Sequence, residues 1–181
     1  MKFALRWPVF IALERLQDEP VRFDETFAPG DIEYSTDGLR QVSALKVAGI
    51  ASLLGAEIHV RGTLGTQLEL ECARCLEPVA LTVKRDFDLY YRSLDESPEQ
   101  DEIAVPRGEE ELGFYSGDGL QLEDVAKEQV LLSLPMRTVC RADCKGLCPH
   151  CGINRNRETC SCAAPLPDPR WEALKKISPV K

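Results

Sequence analysis

The chain has 181 residues, 44% of them hydrophobic, which is enough for a domain with a real core and excludes an intrinsically disordered chain. Its 30 Asp/Glu against 22 Lys/Arg leave a net charge of −8, which argues against a general nucleic-acid binder. No stretch is apolar enough to span a membrane, and the start, Met1 to Leu13, is broken by Arg6 and Pro8 and lacks a small-residue cleavage site, so it reads as part of the fold of a cytoplasmic protein.

In chain order, residues 9–17 predict a short helix after Pro8, with Val9, Leu13 and Leu16 at helical spacing. Val21 to Phe27 alternates and predicts a strand, closed by the turn Pro29-Gly30-Asp31. Ile32 to Gln41 is polar and has no clear period. A strand follows from Val42 to about Leu54, and another from Ala56 to Cys72 with Ile58, Val60, Leu64, Leu68 and Leu70 at even positions. Gly62 and Gly65 in this run suggest bulges or bends. Pro78 to Tyr91 puts Val79, Leu81, Val83, Phe87 and Leu89 at odd positions, so two strands make a hairpin with Cys72-Ala73-Arg74-Cys75 at its tip. His59, between apolar neighbours, reads as a half-exposed strand residue and not a ligand.

Asp95 to Glu111 is acidic and proline-punctuated, and reads as a solvated loop. Gly113 to Gly119 is turn-rich, with room for one short strand. Leu122 to Leu134 is the clearest helix: Leu122, Val125, Ala126 and Val130 form an apolar stripe interrupted by Gln129. Glu123 and Asp124 suit the positive end of its dipole, and Pro135 stops it. Beyond Cys162, the run Ala-Ala-Pro-Leu-Pro-Asp-Pro-Arg is an extended linker, and Trp171 to Ile177 could form a last turn or two of helix. The expected fold class is α+β: a bent antiparallel sheet or partial barrel, one packed helix and a C-terminal cysteine-rich zinc-binding segment. It divides into a β-rich core over 1–139 with the hairpin knuckle and helix 122–134, a zinc-binding segment over 140–162, and a linker with a short helix over 163–181.

The chemistry lies in eight cysteines. Cys72 and Cys75 form one C-x2-C, and Cys140, Cys144, Cys148, Cys151, Cys160 and Cys162 follow far downstream. Eight thiols in close pairs match two tetrahedral zinc ions with four thiolates each, with disulfides or an iron–sulfur cluster as alternatives. In a reducing cytosol, metal is the better reading. Cys148, Cys151, Cys160 and Cys162 are local and could close by themselves. That leaves Cys72 and Cys75 to meet Cys140 and Cys144 across more than sixty residues. His150, between two ligands, is expected to point away from the ion.

Charge is unevenly spread. Residues 137–181 carry nine Lys/Arg and four Asp/Glu, net +5, while residues 1–136 hold the other 13 basic and 26 acidic groups, net −13. The basic end either touches a polyanion or neutralises the zinc thiolates, whose formal charge is −2 per site. Arg137, Arg141, Lys145, Arg155 and Arg157, beside the cysteines, are the candidate RNA-binding residues. No phosphate loop, Ser-His-Asp set or H-E-x-x-H is present, and all-thiolate sites are closed, so neither an enzyme nor a small-molecule substrate is expected.

Three passages carry a family likeness: Leu70-Glu71-Cys72-Ala73-Arg74-Cys75-Leu76, the helix end Leu131-Leu132-Ser133-Leu134-Pro135, and Cys144-Lys145-Gly146-Leu147-Cys148-Pro149-His150-Cys151-Gly152-Ile153-Asn154. With the closing Asp168-Pro169-Arg170-Trp171, they resemble the YceD family of large ribosomal RNA subunit accumulation proteins, from about residue 40 to the end. Gln121 departs from the aspartate the family often places before this helix. The resemblance implies a role in accumulation of 23S rRNA and large-subunit assembly, with precursor rRNA or a ribosomal or assembly protein as partner. Two other readings stand beside it: a thiol-based redox-regulated chaperone or oxidoreductase using Cys160-Ser161-Cys162, and a zinc-ribbon transcription accessory factor.

Overall fold

The computed structural model describes residues 9–94, 112–162 and 170. The acidic connection over 95–111 and the C-terminal linker and helix expected over 163–181 lie outside the described residues, apart from Arg170. The elements are β1 (Phe10–Ala12), α1 (Leu13–Asp18), β2 (Val21–Phe27), β3 (Leu39–Gln41), β4 (Leu45–Leu54), β5 (Glu57–Glu71), β6 (Pro78–Ser93), β7 (Leu112–Tyr115), β8 (Gly119–Gln121) and α2 (Leu122–Leu132). No helix among the described residues is long and apolar enough to cross a membrane.

The main sheet has the order β2-β4-β5-β6-β7, with β3 also paired to β5. The β5–β6 hairpin is its spine, in register without interruption from Glu57↔Arg92 to Glu71↔Pro78. Alternation explains the register, because slipping by one residue would turn the whole apolar set toward water. Ile58, Val60, Leu64 and Leu68 of β5 and Val83, Phe87 and Tyr91 of β6 all lie in the core. Phe23 and Phe27 of β2 and Leu45, Val47 and Ala51 of β4 extend that face. Against it pack Leu16 of α1 and Leu122, Val125, Ala126 and Val130 of α2.

Several expectations are corrected. The sheet is open, with β2 and β7 at its edges, and is not closed into a barrel. It is mixed, since β7 runs parallel to β6. Among the described residues both helices pack on the core, α2 as expected and also α1, which covers Leu13–Asp18 where a short helix over 9–17 was expected. The first starts at Leu13 because residues 10–12 pair as β1 with β8, Phe10 opposite Gln121 and Ala12 opposite Gly119. The turn-rich segment after residue 112 thus holds two short strands. In α2, Gln129 is as buried as its apolar neighbours. The helix ends at Leu132, where the Ser133 hydroxyl donates to the Val130 carbonyl at 2.6 Å.

The glycines of β5 do not mark bulges, since the ladders run straight through Gly62 and Gly65. Gly62 instead faces Gly49 of β4 across the ladder. A Cβ on Gly49 would run into the Arg61 carbonyl oxygen, and one on Gly62 would sit 2.5 Å from that of Ala48 and 2.9 Å from the Phe87 ring. The bulge lies instead at Val42–Ser43, whose two N–H groups both donate to the Gln67 carbonyl, at 2.9 and 3.3 Å. Gln41, buried there, donates to the carbonyls of Phe27 and Ser43. Gly62→Ala is therefore expected to destabilise the protein by about 1–3 kcal/mol, the usual cost of overpacking where backbone must shift. Urea unfolding measures this; an unchanged midpoint would contradict the packing described.

Candidate metal centre

The β5–β6 hairpin ends in a knuckle. The Cys72 N–H donates to the Glu77 carbonyl at 2.8 Å and the Leu76 N–H to the Cys72 carbonyl at 3.0 Å, closing the turn that aims Cys72 and Cys75 the same way. Leu76 takes φ +59°, the one non-glycine residue with positive φ among those described. The facing segment is carried in from the end of α2. The Ala73 N–H donates to the Thr138 carbonyl at 2.8 Å, and the Leu147 N–H to that of Arg74 at 2.9 Å. Gly146, at φ +69°, packs so close that a Cβ would lie 2.9 Å from the Arg74 oxygen. This juxtaposition joins Cys140 and Cys144 to the hairpin cysteines.

The thiol sulfurs fall into two groups, each with all its atoms within 4.8 Å of one another: Cys72, Cys75, Cys140 and Cys144, and Cys148, Cys151, Cys160 and Cys162. These are the pairings expected from sequence. All eight are free thiols. In the first, here called proximal, Cys72 Sγ lies 3.9 Å from Cys144 Sγ, and Cys75 Sγ 3.6 Å from Cys140 Sγ. A disulfide needs about 2.05 Å. Four thiolates at ~2.3 Å from one tetrahedral ion stand about 3.8 Å apart. The donor set and its spacing therefore fit a bound metal ion in each group.

Electrostatics agree. Desolvation raises the Cys72 thiol, but N–H groups of Arg74, Cys140 and Cys75 outweigh it and hold it near about 6. Backbone N–H groups of Cys151 and His150 overcome desolvation to hold Cys148 near about 6. The same crowding pushes other thiols the opposite way: Cys162 rises to about 12 through the neighbouring Cys151 thiol and desolvation. Cys144 is lowered as well, against desolvation, by the Asn156 amide and the Gly146 N–H, so each group mixes thiols pushed down by N–H donors with thiols pushed up by their neighbours, the pattern a cation among them would relieve.

The groups differ in exposure. In the proximal group Cys72, Cys75 and Cys144 are all buried, packed with Val79, Val139 and Leu147. In the distal group only Cys148 is buried, while Cys151 and Cys162 are exposed. His150 is exposed, as expected.

Sequence reasoning missed a polar wall between the two groups. Asn156 donates to Cys144 Sγ at 3.3 Å and accepts from the Lys145 backbone N–H at 2.8 Å. It also donates to Asn154, and Asn154 donates to Glu77 Oε1 at 3.0 Å. Arg157 reaches the other Glu77 oxygen at 2.6 Å. Arg74 clamps the facing loop through the carbonyls of Cys144, at 2.9 Å, and Ala142, at 3.3 Å. The repeated Asn-Arg of residues 154–157, one turn after a C-x2-C-G, is the signal that could have found this wall. Such partners orient ligands and tune the ion.

The five candidate RNA-binding residues are all exposed. Two are engaged locally, Arg141 with Asp143 and Asn156, and Arg157 with Glu77. Arg137, Lys145 and Arg155 have no ion-pair partner among the described residues.

Residues 60–178 match the family described as "Large ribosomal RNA subunit accumulation protein YceD". The chain is 29% identical over 178 residues to the uncharacterized protein Rv2926c of Mycobacterium tuberculosis, covering 94% of this chain and 81% of that one. It is 22% identical over 174 residues to the uncharacterized protein YlbN of Bacillus subtilis, covering 96% of each. No solved structure matches the chain.

Proposed function

The chain belongs to the YceD family of large ribosomal RNA subunit accumulation proteins, and from that premise we propose that it is a non-enzymatic ribosome-biogenesis factor. It promotes 23S rRNA accumulation in the cytoplasm by touching precursor large-subunit rRNA with the basic surface around two structural zinc ions. The family match carries the ribosomal part of this reading, because it runs through all eight cysteines. The donor set, four thiolates and no His or carboxylate in either group, supports zinc as the ion. Four protein ligands leave no open position for a substrate or an activated water, which supports a structural role.

The basic residues fit the contact proposed. Lys145 and Arg155 sit on loops fixed by the Gly146 carbonyl, which accepts the Arg155 N–H at 2.9 Å, and by Asn156. Side chains held on rigid loops lose little entropy on meeting phosphate, and phosphate contact gives salt-sensitive affinity without base readout. The variant that tests this must leave Arg157 alone, since a carboxylate there would face Glu77 and open the wall between the metal groups. Lys145→Glu with Arg155→Glu is expected to keep both metal ions and the unfolding midpoint. In cells lacking the wild-type protein, it is expected to leave 23S rRNA and the large-subunit peak at the level of the deletion. Full restoration by this double variant would refute the basic surface as the working one.

A further inference from the structure

The solvent face of the main sheet carries a second set of features that the metal groups do not use. Strict alternation puts Lys46 of β4, Gly65 of β5 and Lys84 of β6 side by side in one cross-strand row. The next row toward the other end of the sheet is Ala48, Thr63 and Asp86, and the third is Ile50, Arg61 and Asp88. The fourth is Ser52, His59 and Tyr90. Among the described residues, Lys46, Arg61 and Lys84 have no ion-pair partner, whereas Asp88 is held by His59. Because Gly65 has no side chain, a cavity of about 380 Å³ opens between the two lysines, bordered by Thr63 and Asp86. Asp86 is its one acidic neighbour, so two cations outweigh it.

At the other end, Tyr90 is 38% exposed and stacks on His59 with ring centroids 4.5 Å apart and an interplanar angle of 12°. Of the stacked pair, Tyr90 is the ring that solvent reaches, since the His59 side chain is only 13% exposed. Gly65 lies six positions beyond His59 on β5, so the platform and the lysine slot are roughly 20 Å apart along the strand.

We propose that this sheet face binds single-stranded RNA, with a base stacked on the Tyr90–His59 platform and a backbone phosphate in the slot between Lys46 and Lys84 over Gly65. Three or so nucleotides of extended chain span the gap, passing Arg61. Single strands are recognised in this way on sheets, since every base offers a π face and the phosphates meet fixed cations. A duplex hides its bases and cannot stack on the platform. The inference rests on the reading that the target is rRNA, but it assigns a surface remote from Lys145 and Arg155.

The test uses the full-length, metal-loaded protein and fluorescence anisotropy with a labelled nine-nucleotide oligouridine. Lys46→Ala with Lys84→Ala is expected to weaken binding about tenfold or more and to lower the salt slope by about 1.4, the value for two single-strand phosphates. Tyr90→Ala is expected to weaken binding at least about fivefold, and Tyr90→Phe to restore it. Gly65→Glu fills the slot with a carboxylate and should mimic the lysine loss. It should fold, because a Cβ at Gly65 meets nothing closer than the Val83 oxygen at 3.7 Å. Wild-type affinity in the lysine, Gly65 and Tyr90 variants, or equal affinity for a duplex of the same length, would overturn the proposal. Loss of binding only in the Lys145→Glu/Arg155→Glu variant would also overturn it, while leaving the proposed function intact. Loss of oligouridine binding in the sheet variants, with duplex bound more weakly by the wild type, would support the surface.

Discussion

Cys72→Ser is expected to lower bound metal from two ions per chain to one and to cost far more stability than Cys160→Ser, which also removes one. The reason is topology. The proximal group ties the tip of the β5–β6 hairpin to the segment after α2 across a sequence separation of 65 between Cys75 and Cys140. On the chain-entropy argument, a cross-link of that span contributes about 4 kcal/mol. It also seals a buried cluster: Cys72 is fully buried and packs with Val79, Val139 and Leu147. Without the ion, the Cys75 and Cys144 thiols stay crowded in an apolar setting. The distal group closes a loop of roughly ten residues, about 3 kcal/mol on the same argument, and most of what it orders is its own loop. Elemental analysis and urea unfolding of both variants, followed by far-UV circular dichroism, decide the matter. Equal losses of stability would contradict the described role of the proximal ion as a staple.

The second expectation concerns removal of metal from the intact protein. Titration with a strong chelator should release the ions in two steps, the distal first. Two distal ligands, Cys151 and Cys162, are exposed and Cys160 is partly so, whereas three proximal ligands are buried. A chelator must reach the ion or wait for the site to open, and the buried group opens only with part of the hairpin. The second step should therefore coincide with loss of β structure and the first should not. Cys160→Ser should abolish the first step alone. Lower pH advances both, since thiolates must take up protons as the ion leaves, and metal affinity falls as pH falls. A single step with simultaneous loss of structure would show that the groups behave as one.

Side-chain alternation made the hairpin readable in the chain itself: even positions of β5 and odd positions of β6 face the core, and nothing disturbs the period. The cysteine pairing was readable because the distal four are close in sequence, which leaves one partner set for Cys72 and Cys75. What could not be read has a common cause: partners that are remote and individually ordinary. Phe10–Ala12 looks like a helix start, and only β8, more than a hundred residues on, makes it a strand. Gly62 reads as a bulge until Gly49 is placed opposite. The parallel β7 depends on a crossover with no local signature. In the metal centre, Glu77, Asn154 and Asn156 are common loop residues by type. Their role comes from meeting one another across a separation of 77 positions between Glu77 and Asn154.

The span that makes the proximal ion a staple also sets an order of events during synthesis. Cys72 and Cys75 leave the ribosome with the hairpin, whose contacts are local and close early. Their partners follow only after 65 more residues have been added to reach Cys140, on the order of ten seconds at ordinary elongation rates. Through that interval the hairpin tip is half a site, two thiols on a tight turn, open to any soft metal or oxidant nearby. An ion held by all four proximal thiols can be enclosed only after Cys140 and Cys144 have emerged, so it would enter late and close the hairpin tip onto the segment that follows α2.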